Sequence, residues 1–209
     1  METFVVRVWL PDRPGALGQV ASRIGAVRGD VVGIDILERG GGRAIDELVV
    51  SLPDDGVVEL LVAEIVQVDG VAVEDVRRVA ADRPEPGVHA LELAARLVAG
   101  DAAERLDLLC HETIDLVDGH WAVAFRVGES RPVVTVGVPP DPVWLGAFLA
   151  GASHLSDADQ LAGAPGDLAW SWLSRHDLAV AVGRAGRPFH WRERMHVSLL
   201  GRIADALDL

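Results

Sequence analysis

The 209-residue chain has no lysine and no tyrosine, and it has one cysteine, Cys110. Each absence excludes a class of chemistry. Without lysine there is no P-loop lysine, no Schiff-base lysine and no lysine general base. One cysteine forbids an intrachain disulfide and a cysteine-rich zinc site, so the cytosol is the expected compartment. No apolar run reaches the roughly 18 residues of a membrane span. Met1-Glu2-Thr3-Phe4 has neither the basic segment nor the apolar segment of a secretory signal. A basic surplus is missing too. Nineteen arginines face 32 acidic side chains, a net charge of −13, with −6 falling up to Arg78 and −7 beyond it. Neither part carries the positive footprint that nucleic-acid binding requires. What is abundant is apolar: half of the residues, enough for a packed core.

The first 78 residues read as strand, helix, strand, strand, helix, strand. Phe4–Leu10 is β-branched and aromatic and ends at Pro11. After the turn Asp12-Arg13-Pro14-Gly15, residues Leu17, Val20, Ala21, Ile24 and Val27 repeat at helical spacing up to Gly29. Residues 31–38 form a second strand, Gly40-Gly41-Gly42 a hairpin turn, and 44–52 a third strand with Ile45, Leu48 and Val50 as its apolar positions. Asp54-Asp55 caps a helix over 57–67, and a fourth strand covers 71–78. With right-handed crossovers this order makes an α+β, ferredoxin-like antiparallel sheet with both helices on one face.

The Pro- and Gly-bearing stretch 81–87 is the expected linker, separating residues 1–80 from 88–209. Helices are expected at 88–99, 101–113 and 142–152, and strands at 121–127, 132–138, 169–173 and 178–182. A Gly/Ala/Asp-rich loop is expected at 156–167. A last helix carries Met195, Leu199, Leu200, Ile203 and Leu207 as its apolar stripe. This second part is also α+β.

The order of the first part, the segment Pro11-Asp12-Arg13-Pro14-Gly15-Ala16-Leu17 and the strand Val32-Gly33-Ile34-Asp35-Ile36-Leu37 together resemble an ACT domain, a regulatory module of amino-acid metabolism. The resemblance implies side-by-side pairing of two domains, hence a homodimer. It also implies an amino-acid ligand at the pair interface, beside Asp12, Arg13, Pro14, Gly15, Ala16 and Leu17, with Ile34 and Asp35 on the facing wall. The chemistry of the loop agrees. Pro14 loses nothing at a helix start, Gly15 clears room for a ligand, and free N–H groups there suit a carboxylate. Asp12 is either the cap of that helix or a partner for a ligand ammonium. The stretch Leu178–Phe189, an aliphatic strand, a Gly-rich turn and Pro188-Phe189, resembles a GAF domain. The middle of that second part departs from the GAF pattern, and no GAF ligand is implied.

Catalytic and metal motifs are few. The histidines at 89, 111, 120, 154, 176, 190 and 196 include no i, i+4 pair, and no metal or cofactor is expected. Cys110 and His111 are adjacent, and adjacent helical residues do not face each other. Ser174, His176 and Asp177 read as turn residues, and Arg184 and Arg187 as solvated charges flanking a turn. Trp144, Trp170 and Trp172 either line an aromatic pocket or pack a core. The expectation is a regulatory, amino-acid-binding protein without catalytic activity. The alternatives are an enzyme controlled by its first domain and an interaction module without a ligand.

Overall fold

The structure is a computed structural model, which describes residues 1–155 and 166–209. It divides into two compact units, Met1–Arg83 and Pro84–Leu209. The division falls inside the expected linker, but that linker is shorter than 81–87. Pro86 opens a helix, its missing N–H costing nothing at that position, and Glu85 caps it by accepting from the Gly87 and Val88 N–H groups. No helix of the described residues is long and apolar enough to cross a membrane.

The first unit runs β1 (Glu2–Pro11), α1 (Ala16–Ala26), β2 (Asp30–Gly40), β3 (Arg43–Leu52), α2 (Val58–Ile65) and β4 (Ala72–Val79). The sheet order is β2-β3-β1-β4, and every pairing is antiparallel. This is the ferredoxin-like arrangement. Gly41 and Gly42 both have left-handed φ, 58° and 76°, as a two-residue hairpin between right-twisted strands needs. Strand alternation sorts the side chains. Phe4, Val6, Val8 and Leu10 of β1 and Leu48, Val50 and Leu52 of β3 pack with Val20 and Ile24 of α1 and Leu61 and Ile65 of α2. Ile45 belongs to the opposite face, so the expected apolar set of β3 mixed two faces. The position between Ala44 and Leu48 on the helix side is taken by Asp46.

On the other face, Arg7 is 1 % exposed and lies across from Glu47. Arg7 Nη2 donates to Glu47 Oε2 at 2.7 Å, and Nε to the same oxygen at 3.1 Å. Arg77 adds 3.1 Å contacts to both Glu47 oxygens, and Arg83 lies at 3.6 Å. Burial works against the Glu47 charge, but the Arg77 and Arg7 guanidiniums outweigh it and hold the carboxyl at about 2.

The second unit contains α3 (Pro86–Ala99), α4 (Arg105–Val117), β5 (Trp121–Arg126), β6 (Arg131–Gly137), α5 (Pro142–Ala152), β7 (Leu168–Leu173), β8 (Leu178–Gly183) and α6 (Trp191–Asp205). Its antiparallel sheet has the order β6-β5-β8-β7. Ala122, Ala124, Val180 and Val182 face α3, α4 and α6, whereas Val123, Phe125, Ala179 and Ala181 face α5. The expected loop at 156–167 lies outside the described residues apart from Gly166 and Asp167. In α6 the buried side is Glu193, Arg194, Val197, Leu200, Gly201 and Ala204, with Leu199 42 % exposed. The expected stripe is thus rotated. The helix is seated by polar groups that an apolar count does not register, Arg194 donating to the Phe189 and Leu168 carbonyls at 3.1 and 2.6 Å.

Arg184 is likewise not a solvated charge. It is 2 % exposed, donates to the carbonyls of Val117, Arg187 and Pro188, pairs with Glu193 at 2.8 Å and lies 4.0 Å over the Phe189 ring. A guanidinium committed to carbonyls in this way does not present itself to an anion, and the Gly183–Gly186 turn is a structural one.

Replacing Glu47 by Gln removes the nearest carboxylate of the buried Arg7, leaving Glu74 at 3.6 Å, and is expected to cost about 3 kcal/mol at pH 7 in denaturant unfolding. Because the folded pKa is lowered, the wild-type contribution is complete above 4.5 and disappears as pH falls to about 2. The variant lacks that acid limb.

Candidate functional site

The segment Asp12–Gly15 joins the end of β1 to α1. Its start is pinned by the Asp12 N–H, which donates to the Gly42 carbonyl of the β2–β3 hairpin at 3.0 Å. Arg13 and Ala16 N–H close local turns onto the Pro11 and Arg13 carbonyls, and Gln19 N–H returns to Gly15. The N-cap of α1 is Gly15, at φ 86°, and no side chain caps the helix. Asp12 is therefore not the cap, a correction to one of its two readings. Three residues separate it from the first helical turn, and its own N–H is held by the hairpin. Among the described residues, the Leu17 and Gly18 N–H groups have no acceptor. They are the open donors of a helix start, reinforced by the dipole. Asp12, Arg13, Pro14 and Gly15 are exposed, Leu17 is half-buried and Ala16 is buried.

Ile34 and Asp35 lie on β2, the edge strand, opposite Leu48 and Glu47 of β3. Since β3 stands between β2 and β1, the two expected halves of the site are not neighbours in the sheet. What lies between them is Asp46. It pairs with Val8 on one side and Ile36 on the other and faces the helix layer. It is 2 % exposed, and its Oδ1 has no hydrogen-bond partner. Burial raises its pKa, the Arg39 charge opposes that rise, and the Asp12 and Asp35 carboxylates add to it. Asp12 and Asp35 thus both disfavour the Asp46 charge, but Asp35, opposite Glu47, stands on the sheet face away from the helices.

Sequence reading missed Asp46. The signal was present: in a strand whose inward positions are Ala44, Leu48, Val50 and Leu52, position 46 also belongs to the inward set and is acidic. An apolar count skips such a residue, whereas the alternation marks it as an expensive placement.

The other candidate groups are occupied or inert. Cys110 is buried, and burial, aided by Asp107, pushes its thiol up to about 12, so it is no thiolate at neutral pH. Its neighbour His111 bonds the Asp107 carbonyl through Nδ1. His190 and Glu193 form a capping box at the start of α6. His176 Nε2 lies 2.9 Å from the Leu207 carbonyl. Among the described residues no cluster of three or more His, Cys, Asp or Glu side chains is placed to hold a metal.

No family model matches the chain, and no curated protein does. Solved structures similar to it include the ACT domain of a GTP pyrophosphokinase from Chlorobium tepidum, at 18% identity over 37% of this chain and 97% of that one, TM-score 0.30. A formyltetrahydrofolate deformylase from Pseudomonas putida is similar at 20% identity over 47% of this chain, TM-score 0.32. An unknown protein from Galdieria sulphuraria is similar at 18% identity over 47% of this chain, TM-score 0.34. The matched stretch spans 63% of the Galdieria chain and 39% of the deformylase. The strand order and the placement of the helices, rather than these likenesses, define the fold of the first unit.

Asp46→Asn is expected to stabilise the ligand-free protein at pH 7–8 by about 1 kcal/mol, as a carboxylate whose charge burial disfavours gives way to a neutral amide. The sign in wild type is the reverse of that for Glu47. The folded chain holds the Asp46 proton more tightly than the unfolded one, so stability falls as pH rises from 3.8 through the raised value. Denaturant unfolding between pH 4 and 8 should show this slope in wild type and lose it in the variant.

Proposed function

We propose that the protein is a regulatory binding module that takes a free amino acid at its first unit and passes the change to the second, GAF-like unit, without catalysis of its own. The observation that carries this reading is the pairing of opposite needs in the first unit. The open Leu17 and Gly18 N–H groups want an anion, and the buried Asp46 carboxylate, whose Oδ1 has no partner among the described residues, wants a cation. A zwitterion supplies both: its carboxylate at the α1 N-terminus, its ammonium towards Asp46, with Asp12 and Asp35 deepening the negative potential. Ile34, 51 % exposed, offers an apolar wall to the ligand side chain. The ACT resemblance of the loop and of β2 supports the same assignment, and the buried, protonated Cys110 supports a binding rather than a catalytic role.

Pairing of two copies belongs to the proposal. β2 is an edge strand bearing exposed Val32 (59 %) and Ile34, the kind of edge that another chain covers. In such a homodimer the edge of one copy would bring Ile34 and Asp35 to the loop of the other. Sedimentation equilibrium at micromolar concentration should give the mass of two chains, and Ile34→Lys the mass of one.

Gly15 is unsuited to a blocking mutation, since a side chain at φ 86° strains the backbone by about 1–2 kcal/mol. Gly18 is the better place: it is helical and exposed, and a Cβ there meets nothing within 4 Å. Calorimetry against the twenty amino acids should find one ligand for wild type, with Gly18→Leu and Asp46→Asn folded and at least tenfold weaker. A folded Gly18→Leu protein that binds unchanged puts the site elsewhere. No amino acid bound by wild type leaves an interaction module without ligand.

A further inference from the structure

The second unit carries a separate anomaly on the sheet face covered by α5. Trp170 and Trp172 are two residues apart on β7, so both side chains stand on that face. Trp170 is 5 % exposed and Trp172 half-buried, and both indole nitrogens are buried without a hydrogen-bond partner among the described residues. An indole N–H only donates, so what each lacks is an acceptor. The apolar side chains packed with them include Val123, Phe125, Leu145, Leu149, Ala179 and Ala181. Directly across from the two indoles on β8 stand the small Ala181 and Ala179. Phe148 of α5 meets the Trp170 ring edge-on at 5.0 Å and stacks on Trp144 at 5.7 Å, which gives the same face an aromatic wall. Buried donors nearly always find a partner; two neighbouring orphans on one face form a donor pair open to an external oxygen.

We propose that this face, between α5 and β7–β8, is a second binding site, distinct from the one in the first unit, for a neutral aromatic or aliphatic molecule bearing a carbonyl oxygen that accepts from Trp170 and Trp172. Neutrality follows from the surroundings. A carboxylate seated among these side chains would lose its hydration with only two neutral N–H groups in return, whereas a carbonyl loses far less. The site does not depend on the amino-acid reading, because it uses no residue of the first unit.

The test is a titration of the ¹⁵N-tryptophan-labelled full chain with acetophenone, toluene and benzoate, three probes that share a ring and differ in the acceptor. The indole resonances are assigned with Trp170→Phe and Trp172→Phe, which keep a ring and delete the donor. Acetophenone is expected to saturate and move both indole protons downfield. Toluene and benzoate should bind at least tenfold more weakly, and the double Phe variant should lose that preference for acetophenone over toluene. If the double variant does not fold, Trp172→Phe alone, at the half-buried position, should still reduce the preference. The proposal is overturned if no probe saturates, if toluene matches acetophenone, or if benzoate binds more tightly than the ketone. It is also overturned if both indoles hold a slowly exchanging water that acetophenone does not displace.

Discussion

The pairing of Arg7 with Glu47 sets the register on which the first unit depends. The two residues face each other across β1 and β3, on the side of the sheet away from the helices. A strand has a period of two, so a slip by one residue would turn Arg7 into the apolar layer beneath α1 and α2. The ion pair is thus less a source of net stability than a penalty on every other register. It also fixes the neighbouring position. With Glu47 outward, Asp46 must point inward, and the buried carboxylate on the helix side follows from the bonded one beside it.

Much of this unit was legible because its local signals agree: a Gly-Gly hairpin, a Pro-Gly helix entry and helical spacing at Val20 and Ile24. Of the proposed site, the loop Asp12–Leu17 could be read because turn chemistry is local. Asp46 could not be read by counting apolar residues, since its meaning comes from two strands that flank it from distant parts of the chain. The set Ile45, Leu48 and Val50 was not divided by face for the same reason: alternation in an Ala-Ile-Asp-Glu-Leu run can be read in either phase until a partner strand fixes it.

The second unit was less legible where arginines are used as interior hydrogen-bond donors. Arg184 and Arg194 are buried in carbonyl oxygens, a role that composition assigns to the surface. Five N–H donors on a planar fork let one side chain satisfy several main-chain ends at once. This shifts the buried side of α6 towards Glu193 and Arg194 and leaves Leu199 outside. Trp170 and Trp172 show the opposite case, buried indole donors without a hydrogen-bond partner among the described residues.

The position of β1 has a consequence for synthesis. The strand made first lies in the interior of its sheet, between β3 and β4, and β4 ends only at Val79. While the chain is still on the ribosome, one edge of β1 stays open until β3 is complete at Leu52 and the other until β4 ends at Val79. Its apolar face meanwhile has only α1 for cover. Sequence-distant pairing of this kind slows folding and leaves a sticky strand exposed to neighbours. The charge of Arg7 in the middle of that strand then protects it, for a lone guanidinium within Phe-Val-Val-Arg-Val-Trp-Leu is a gatekeeper against premature association until Glu47 arrives to neutralise it.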